Sequence, residues 1–287
     1  MGGNIFKDDA SPIAKDRVRP TYVEYIRHLG VIFPQKADVF KNFVFVGSSG
    51  KKEVSGDLDL AIDMSHFFRG ELFNETEMRE WRINYEFWKL EYSNLKQRAR
   101  TATESMLRWK AFLKCIGDII SKDYVINVSS KVTNGNLFTM FPQFDRHGIT
   151  KDYVQIDWMV GDVDWLSFAY HSGESAPLKG LHRTQFMVAM ASAKGYTFLH
   201  TKGIKNKFDN VFVATTPKQA LELFSELYGD MNIDDTITYR RLHSWFKNNS
   251  TEEDYRKVIE SYLRILRISR ATVPKDLEDE DSRFTWP

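Results

Sequence analysis

The chain has 287 residues, 42% of them hydrophobic, enough to bury a core, and its net charge of +1 excludes a protein that binds nucleic acid through overall basicity. A single cysteine, Cys115, rules out an internal disulfide, and the absence of any apolar run near the roughly eighteen residues of a membrane helix argues against a membrane span. With no signal-peptide pattern, the expected location is cytoplasmic. Residues up to about Asp16 are polar and expected to fray. Arg19-Pro20-Thr21 opens a predicted helix through Leu29-Gly30, with Tyr22, Tyr25, Ile26 and Leu29 at helical spacing. A short apolar run, Phe43 to Val46, then reads as a strand that stops at Gly47-Ser48. After the basic loop Ser49-Gly50-Lys51-Lys52 comes Asp57-Leu58-Asp59-Leu60-Ala61-Ile62, which alternates acid with apolar residues at period two. That alternation sets Asp57 and Asp59 side by side on one strand face, where they repel each other unless a cation sits between them. Hard oxygen ligands of this kind suit Mg²⁺. The Gly-Ser turn offers backbone N–H groups to an anion, with Lys51 and Lys52 behind it, so a triphosphate carried by Mg²⁺ satisfies both halves. Taken singly, an Asp-x-Asp pair is as often a solvated surface feature and a Gly-Ser step is usually only a turn; their order within one hairpin-length unit is what carries weight.

From Asp63 to Lys122 the pattern is helical. Asn74 is a predicted cap with Glu77 three residues on, and Met78, Trp81, Tyr85, Trp88, Tyr92 and Leu95 form a stripe at steps of three and four. The stripe reads structurally as a seam against another helix and functionally as a stacking surface for single-stranded nucleic acid. A break over Thr101 to Thr103 precedes a second helix with Leu107, Ala111, Cys115 and Ile119 inward; Arg98, Arg100, Arg108 and Lys110 cluster at the junction as candidate phosphate contacts. Cys115 in this apolar pattern reads as core. Tyr124 to Lys131, the turn Asn134-Gly135 and Leu137 to Phe141 form a predicted hairpin, and Tyr153 to Val160 a strand carrying Asp157.

These motifs resemble the signature of the polymerase-beta-like nucleotidyltransferase superfamily, a Gly-Ser followed about ten residues later by Asp-hydrophobic-Asp. Gly47-Ser48 followed by Ser55-Gly56-Asp57-Leu58-Asp59 is similar in particular to the family X DNA polymerases. Phe168 to Gly173, Leu181 to Thr184, Ala193 to Phe198 and Lys202 to Ile204 follow the order of that family's segment after its third acid, so the resemblance runs discontinuously from about Asn42 to Tyr228. It implies an α+β fold: a mixed β-sheet palm with flanking helices, here carrying a long helical insertion and a helical C-terminal extension. The implied organisation is an N-terminal helical lead over 1–40, the palm over 41–165 with its insertion at 65–121, a nucleotide- and acceptor-binding subdomain over 166–229, and the extension over 230–287 with an acidic tail from Asp276 to Asp281.

The resemblance implies that Asp57, Asp59 and Asp157 are the catalytic, metal-ligating acids, holding two Mg²⁺ or Mn²⁺ ions roughly 3.5 to 4 Å apart. It implies that Gly47, Ser48 and Gly56 hold the nucleotide phosphates, with Lys51 and Lys52 in place of the family's usual arginine turn, a point charge for a bidentate fork. It places Tyr170 and His171 near the sugar of an incoming nucleotide, and Thr184 and Gln185 on a helix flanking the base. His171 reads more readily as a loop histidine with a backbone partner. The implied activity is transfer of a nucleoside monophosphate from a nucleoside triphosphate to a nucleic-acid 3′-hydroxyl, DNA more than RNA, with pyrophosphate released. The first forty residues resemble no helix-hairpin-helix or lyase domain. Two alternatives stay open: untemplated transfer to RNA, protein or a small molecule, and a palm that binds nucleotide without reacting. Past this region, Lys194, Lys202, Lys205 and Lys207 read as a basic stretch round a loop. Thr216-Pro217 starts a helix ended by Gly229, and Ser250 or Thr251 caps a last helix with Tyr255, Ile259, Tyr262, Leu263 and Leu266 inward and Arg256, Lys257, Arg264, Arg267 and Arg270 outward.

Overall fold

The computed structural model describes residues 5–6, 9–69, 72–100, 102–122, 130–133, 135–173, 178 and 180–278. They fall into two compact units divided between Val163 and Asp164. The polar first residues contain a strand: β1 (Ile13–Ala14) pairs with β3 (Val54–Ser55), and Ile13 is fully buried. Helix α1 runs over Lys15–Ile32 and so begins before the expected Arg19, with Pro20 inside it. Pro20 lies early enough that the carbonyl it leaves without a donor, that of Asp16, belongs to the helix's first turn.

Five strands make the sheet of this first unit, in the order β2 (Val44–Phe45), β4 (Leu58–Ile62), β7 (Gly148–Val160), β6 (Asn136–Asp145), β5 (Ser130–Thr133). β4 and β7 run parallel and every other neighbour is antiparallel, so the sheet is mixed and the fold α+β, as expected. The period-two pattern sorts the two faces. Leu58, Leu60 and Ile62 of β4 join Ile156 and Trp158 of β7 in one apolar core, which leaves Asp57, Asp59, Gln155 and Asp157 to the other face. Beneath β7 the Trp158 indole N–H donates to the Tyr25 hydroxyl at 2.7 Å, and that hydroxyl lies 2.8 Å from Thr139 Oγ1, tying α1 to β6 and β7 through a satisfied buried network. The β6–β7 hairpin is longer than the sequence suggested, turning at Arg146-His147. The expected strand residues Tyr124 to Ser129 and the turn residue Asn134 lie outside the described residues.

The helical insertion packs on the core side. Its first stretch is two helices, α2 (Glu75–Glu80) and α3 (Tyr85–Arg98), rather than one, because Trp81 and Ile83 turn inward between them. Asn74 caps α2 as expected, accepting from the Glu77 N–H. The Glu77 carboxylate does not close a capping box; it takes the Lys36 ammonium at 2.6 Å, beside a second contact from Lys36 to Glu80 at 2.7 Å. Tyr85, Trp88 and Tyr92 stack along α3 against α4 (Glu104–Ser121), the seam reading of the aromatic stripe. Cys115 is buried in α4, and burial first, then Asp118, pushes its thiol up to about 12, so it is a packing residue.

The second unit opens with α5 (Val163–Ala169), whose first turn holds Asp164. Helix α6 (Gly180–Ala193) is buried on most sides by the three-stranded sheet β10 (Phe212–Ala214), β9 (Gly203–Asn206), β8 (Tyr196–Leu199) and by three further helices, α7 (Pro217–Tyr228), α8 (Tyr239–Asn249) and α9 (Glu252–Ser269). Thr216 forms a full capping box with Gln219, Gly229 ends α7 at φ +114°, and Thr251 caps α9, all where the sequence signals stood. Helix α8 was not expected; its Tyr239, Leu242, Trp245 and Phe246 are buried in the same core as α6 and α9. Residues 166–229 and 230–278 therefore share one core.

Candidate active site

Parallel pairing of β4 with β7 sets Asp59 directly opposite Asp157, with Asp57 two residues along the same face. One carboxylate oxygen from each of the three acids lies within 4.8 Å of the others. Asp57 and Asp157 are buried and Asp59 half-buried. Burial and then the Asp57 carboxylate hold the Asp59 acid well above its ordinary range. Burial, then Asp59 and Asp57, do the same to Asp157, and the Gln155 amide pulls it back. Three acids kept close at this energetic cost fit a hard divalent cation: the donors are all oxygen, and a positive charge between them removes the mutual repulsion that raises them.

The loop before β4 is built to let Asp59 stand where it does. Gly47 has φ +64°, and a Cβ there would lie 2.2 Å from Asp59 Oδ2, so both its backbone angle and its missing side chain are required. The Val46 N–H donates to the Asp59 carbonyl at 3.0 Å, and the Asp59 N–H donates to Ser49 Oγ at 2.9 Å. Ser55 Oγ donates to the Ser48 carbonyl at 3.0 Å, closing the loop on itself. Lys51 and Lys52 sit half-exposed in this turn. Gly56 is exposed, and a Cβ there would meet no atom within 4 Å, so no crowding requires a glycine at that position.

No protein-family model matches the sequence, and no curated protein matches it significantly. Among solved structures the chain is similar to Leishmania infantum polymerase beta. The ternary P/T complex is matched over 98% of this chain and 79% of that one, with 12% identity and a TM-score of 0.33. The ternary gap complex is matched over 95% and 72%, with 11% identity and a TM-score of 0.34.

Tyr170, His171 and Thr184 belong to the second unit. Tyr170 is half-buried, its ring 5.8 Å from that of His200, and His171 is half-buried at the end of α5. Thr184 is buried, its hydroxyl bonded to the Ala169 carbonyl at 2.7 Å and the Gly180 carbonyl at 3.2 Å. Gln185 is likewise buried on α6. Of the basic loop residues, Lys194 pairs with Asp254 at 2.8 Å, Lys205 bonds Asn210 and Lys207 bonds Ser192.

Two residues of the acid site escaped the sequence reading. Ser49 fixes the backbone of Asp59, and Gln155 donates from Nε2 to Asp157 Oδ1 at 2.8 Å. The signal for Gln155 was present: two residues before Asp157 on a period-two strand, it must share the acids' face. Ser49 carried none, since its role depends on how the loop folds back.

Among the described residues no helix is long and apolar enough to cross a membrane.

Proposed function

We propose that this chain is a metal-dependent nucleotidyltransferase with a polymerase-beta-like palm. It would move a nucleoside monophosphate from a nucleoside triphosphate to a 3′-hydroxyl of nucleic acid. The observation that carries the reading is the register of Asp59 with Asp157 on parallel strands, with Asp57 beside them, three oxygen ligands on one sheet face.

Asp57, Asp59 and Asp157 would hold Mg²⁺ or Mn²⁺, which when bound lowers the pKa of an attacking hydroxyl and neutralises charge on a leaving pyrophosphate. The protein's own part is positioning. Gly47 lets the turn pass against Asp59, Ser49 holds the Asp59 backbone, and Gln155 orients Asp157. The backbone around Gly47, Ser48 and Gly56, with Lys51 and Lys52 in the turn, would receive the phosphates; lysines supply compact charge there without a bidentate grip.

The test is incubation with Mg²⁺ or Mn²⁺, labelled deoxynucleoside and nucleoside triphosphates in turn, and single-stranded DNA, primed or gapped DNA, or RNA as acceptor, with Asp57→Asn as control. Template-directed extension lost in the control is the expected result. Extension that ignores the template moves the reading to untemplated transfer, and no transfer to any acceptor, with nucleotide still bound, refutes the polymerase assignment.

A further inference from the structure

The segment before α1 reaches β3, just ahead of Asp57, and β7, which carries Asp157. Ile13 pairs with Ser55, two residues before Asp57, and the Lys15 N–H donates to the Glu53 carbonyl at 2.9 Å. Further back, the Ser11 N–H donates to the Tyr153 carbonyl at 2.7 Å, so the segment lies along β7. At its head the Ile5 N–H donates to Gln155 Oε1 at 3.1 Å, while the Ile5 carbonyl accepts from Lys131 Nζ at 2.9 Å. Phe6 next to it is buried, with the same ammonium 5.2 Å from its ring.

The bond from Ile5 decides which end of the Gln155 amide faces the site. A side-chain amide has one accepting end and one donating end. A backbone N–H engages the oxygen, so the NH₂ group is the end turned to Asp157, where it binds Oδ1 at 2.8 Å. Gln155 is 1% exposed, so water does not compete for either end. A donor held against one oxygen of Asp157 leaves the other to a cation and stops the carboxylate from swinging. Without Ile5, the amide could turn its oxygen toward Asp157 and add a repulsion where a cation must bind.

We propose that Gln155 is a positioning residue for the carboxylate site, and that the segment headed by Ile5 and Phe6 is a strap that assembles this site through the relay Ile5 to Gln155 to Asp157. The inference rests on the metal-binding reading of the three acids. Bonds to the group that orients a metal ligand typically change metal affinity or activity about 10- to 100-fold when lost.

The test is Mn²⁺ binding to the full chain, followed by electron paramagnetic resonance and calorimetry alongside thermal melting. The variants are Gln155→Leu, Gln155→Glu and Phe6→Ala. Gln155→Glu keeps the size and the bond to Ile5 but removes the donor to Asp157, and it decides the matter if Gln155→Leu does not fold. Phe6→Ala loosens the strap and leaves Gln155 in place. The expected result is Mn²⁺ affinity lower by roughly tenfold or more in each, with a changed spectrum and the cooperative melting transition retained. Wild-type affinity and spectrum in Gln155→Glu and Phe6→Ala would overturn the relay. Absence of Mn²⁺ binding in the wild-type protein itself would overturn the metal reading, and with it this inference.

Discussion

Gly47 offers the sharpest test of how the acid site is built. In Gly47→Ala the residue must keep φ +64°, a left-handed conformation that costs an L-residue roughly 1–2 kcal/mol. The new methyl would also stand 2.2 Å from Asp59 Oδ2, a distance that no relaxation of a few tenths of an ångström removes. The Asp59 backbone cannot retreat, because its N–H is held by Ser49 Oγ and its carbonyl by the Val46 N–H. The carboxylate must therefore rotate away, at roughly 0.5–1.5 kcal/mol for an off-rotamer side chain. Together these give about 2–3 kcal/mol, seen as a melting transition of this unit lowered by roughly 4–12 °C.

Metal binding adds a second, separable readout. Returning Asp59 to its partners means pressing it against the methyl, and about 2 kcal/mol of such opposition weakens binding roughly thirtyfold. Calorimetric titration of Mn²⁺ measures it. Gly56→Ala is the matched control: Gly56 is exposed and a Cβ there meets nothing, so stability should move by less than about 0.5 kcal/mol and Mn²⁺ affinity not at all. Wild-type Mn²⁺ affinity in Gly47→Ala, or equal damage from the two substitutions, would refute the reasoning.

The ion pairs of Lys36 should prove structural. Lys36 is 1% exposed and holds both Glu77 and Glu80, so Lys36→Ala strands a buried carboxylate and is expected to cost roughly 3–5 kcal/mol in urea unfolding; a loss below about 1 kcal/mol would contradict this. His200, packed between the rings of Tyr170 and Phe198, is held by burial at about 4, below its usual 6.5. The unfolded chain then binds the extra proton first, so stability is complete above about pH 6.5 and falls as pH drops toward 4, by about 2–3 kcal/mol. Melting of His200→Gln should lose that part of the acid sensitivity between pH 7 and 5; an unchanged pH slope would rule it out.

What could be read in advance follows from the range of the interactions involved. Asp57 and Asp59 were legible because period two is a property of a single strand, and the caps at Asn74, Thr216 and Thr251 because a cap acts within one helical turn. Helix α8 lies beyond the stretch that resembles the family, yet its sequence carries the helical spacing of Tyr239, Leu242 and Phe246 behind the Thr238 cap. Helix α1 starts before the expected Arg19 because proline, though most at home in a first turn, is tolerated here a turn later. The split between α2 and α3 was hidden because Trp81 keeps the spacing of the stripe while leaving the helix to pack against Phe33, Phe40 and Phe67.

The long-range half of the site obeys a different logic. That Asp157 faces Asp59 depends on β7 entering the sheet beside β4 and parallel to it, across nearly a hundred intervening residues that include the whole helical insertion. A slip of one residue would keep every strand and every helix and turn Asp157 into the core, where Trp158 now lies. The apolar partners prevent that slip: Ile156 opposite Leu58, Trp158 opposite Leu60 and Val160 opposite Ile62 all pack on the core side, and none could be exchanged for its acid neighbour without burying a charge. Carboxylates that destabilise one another on one face of the sheet are therefore held in register by the hydrophobic effect on the other. The fold pays for the site from the opposite side of the same strands.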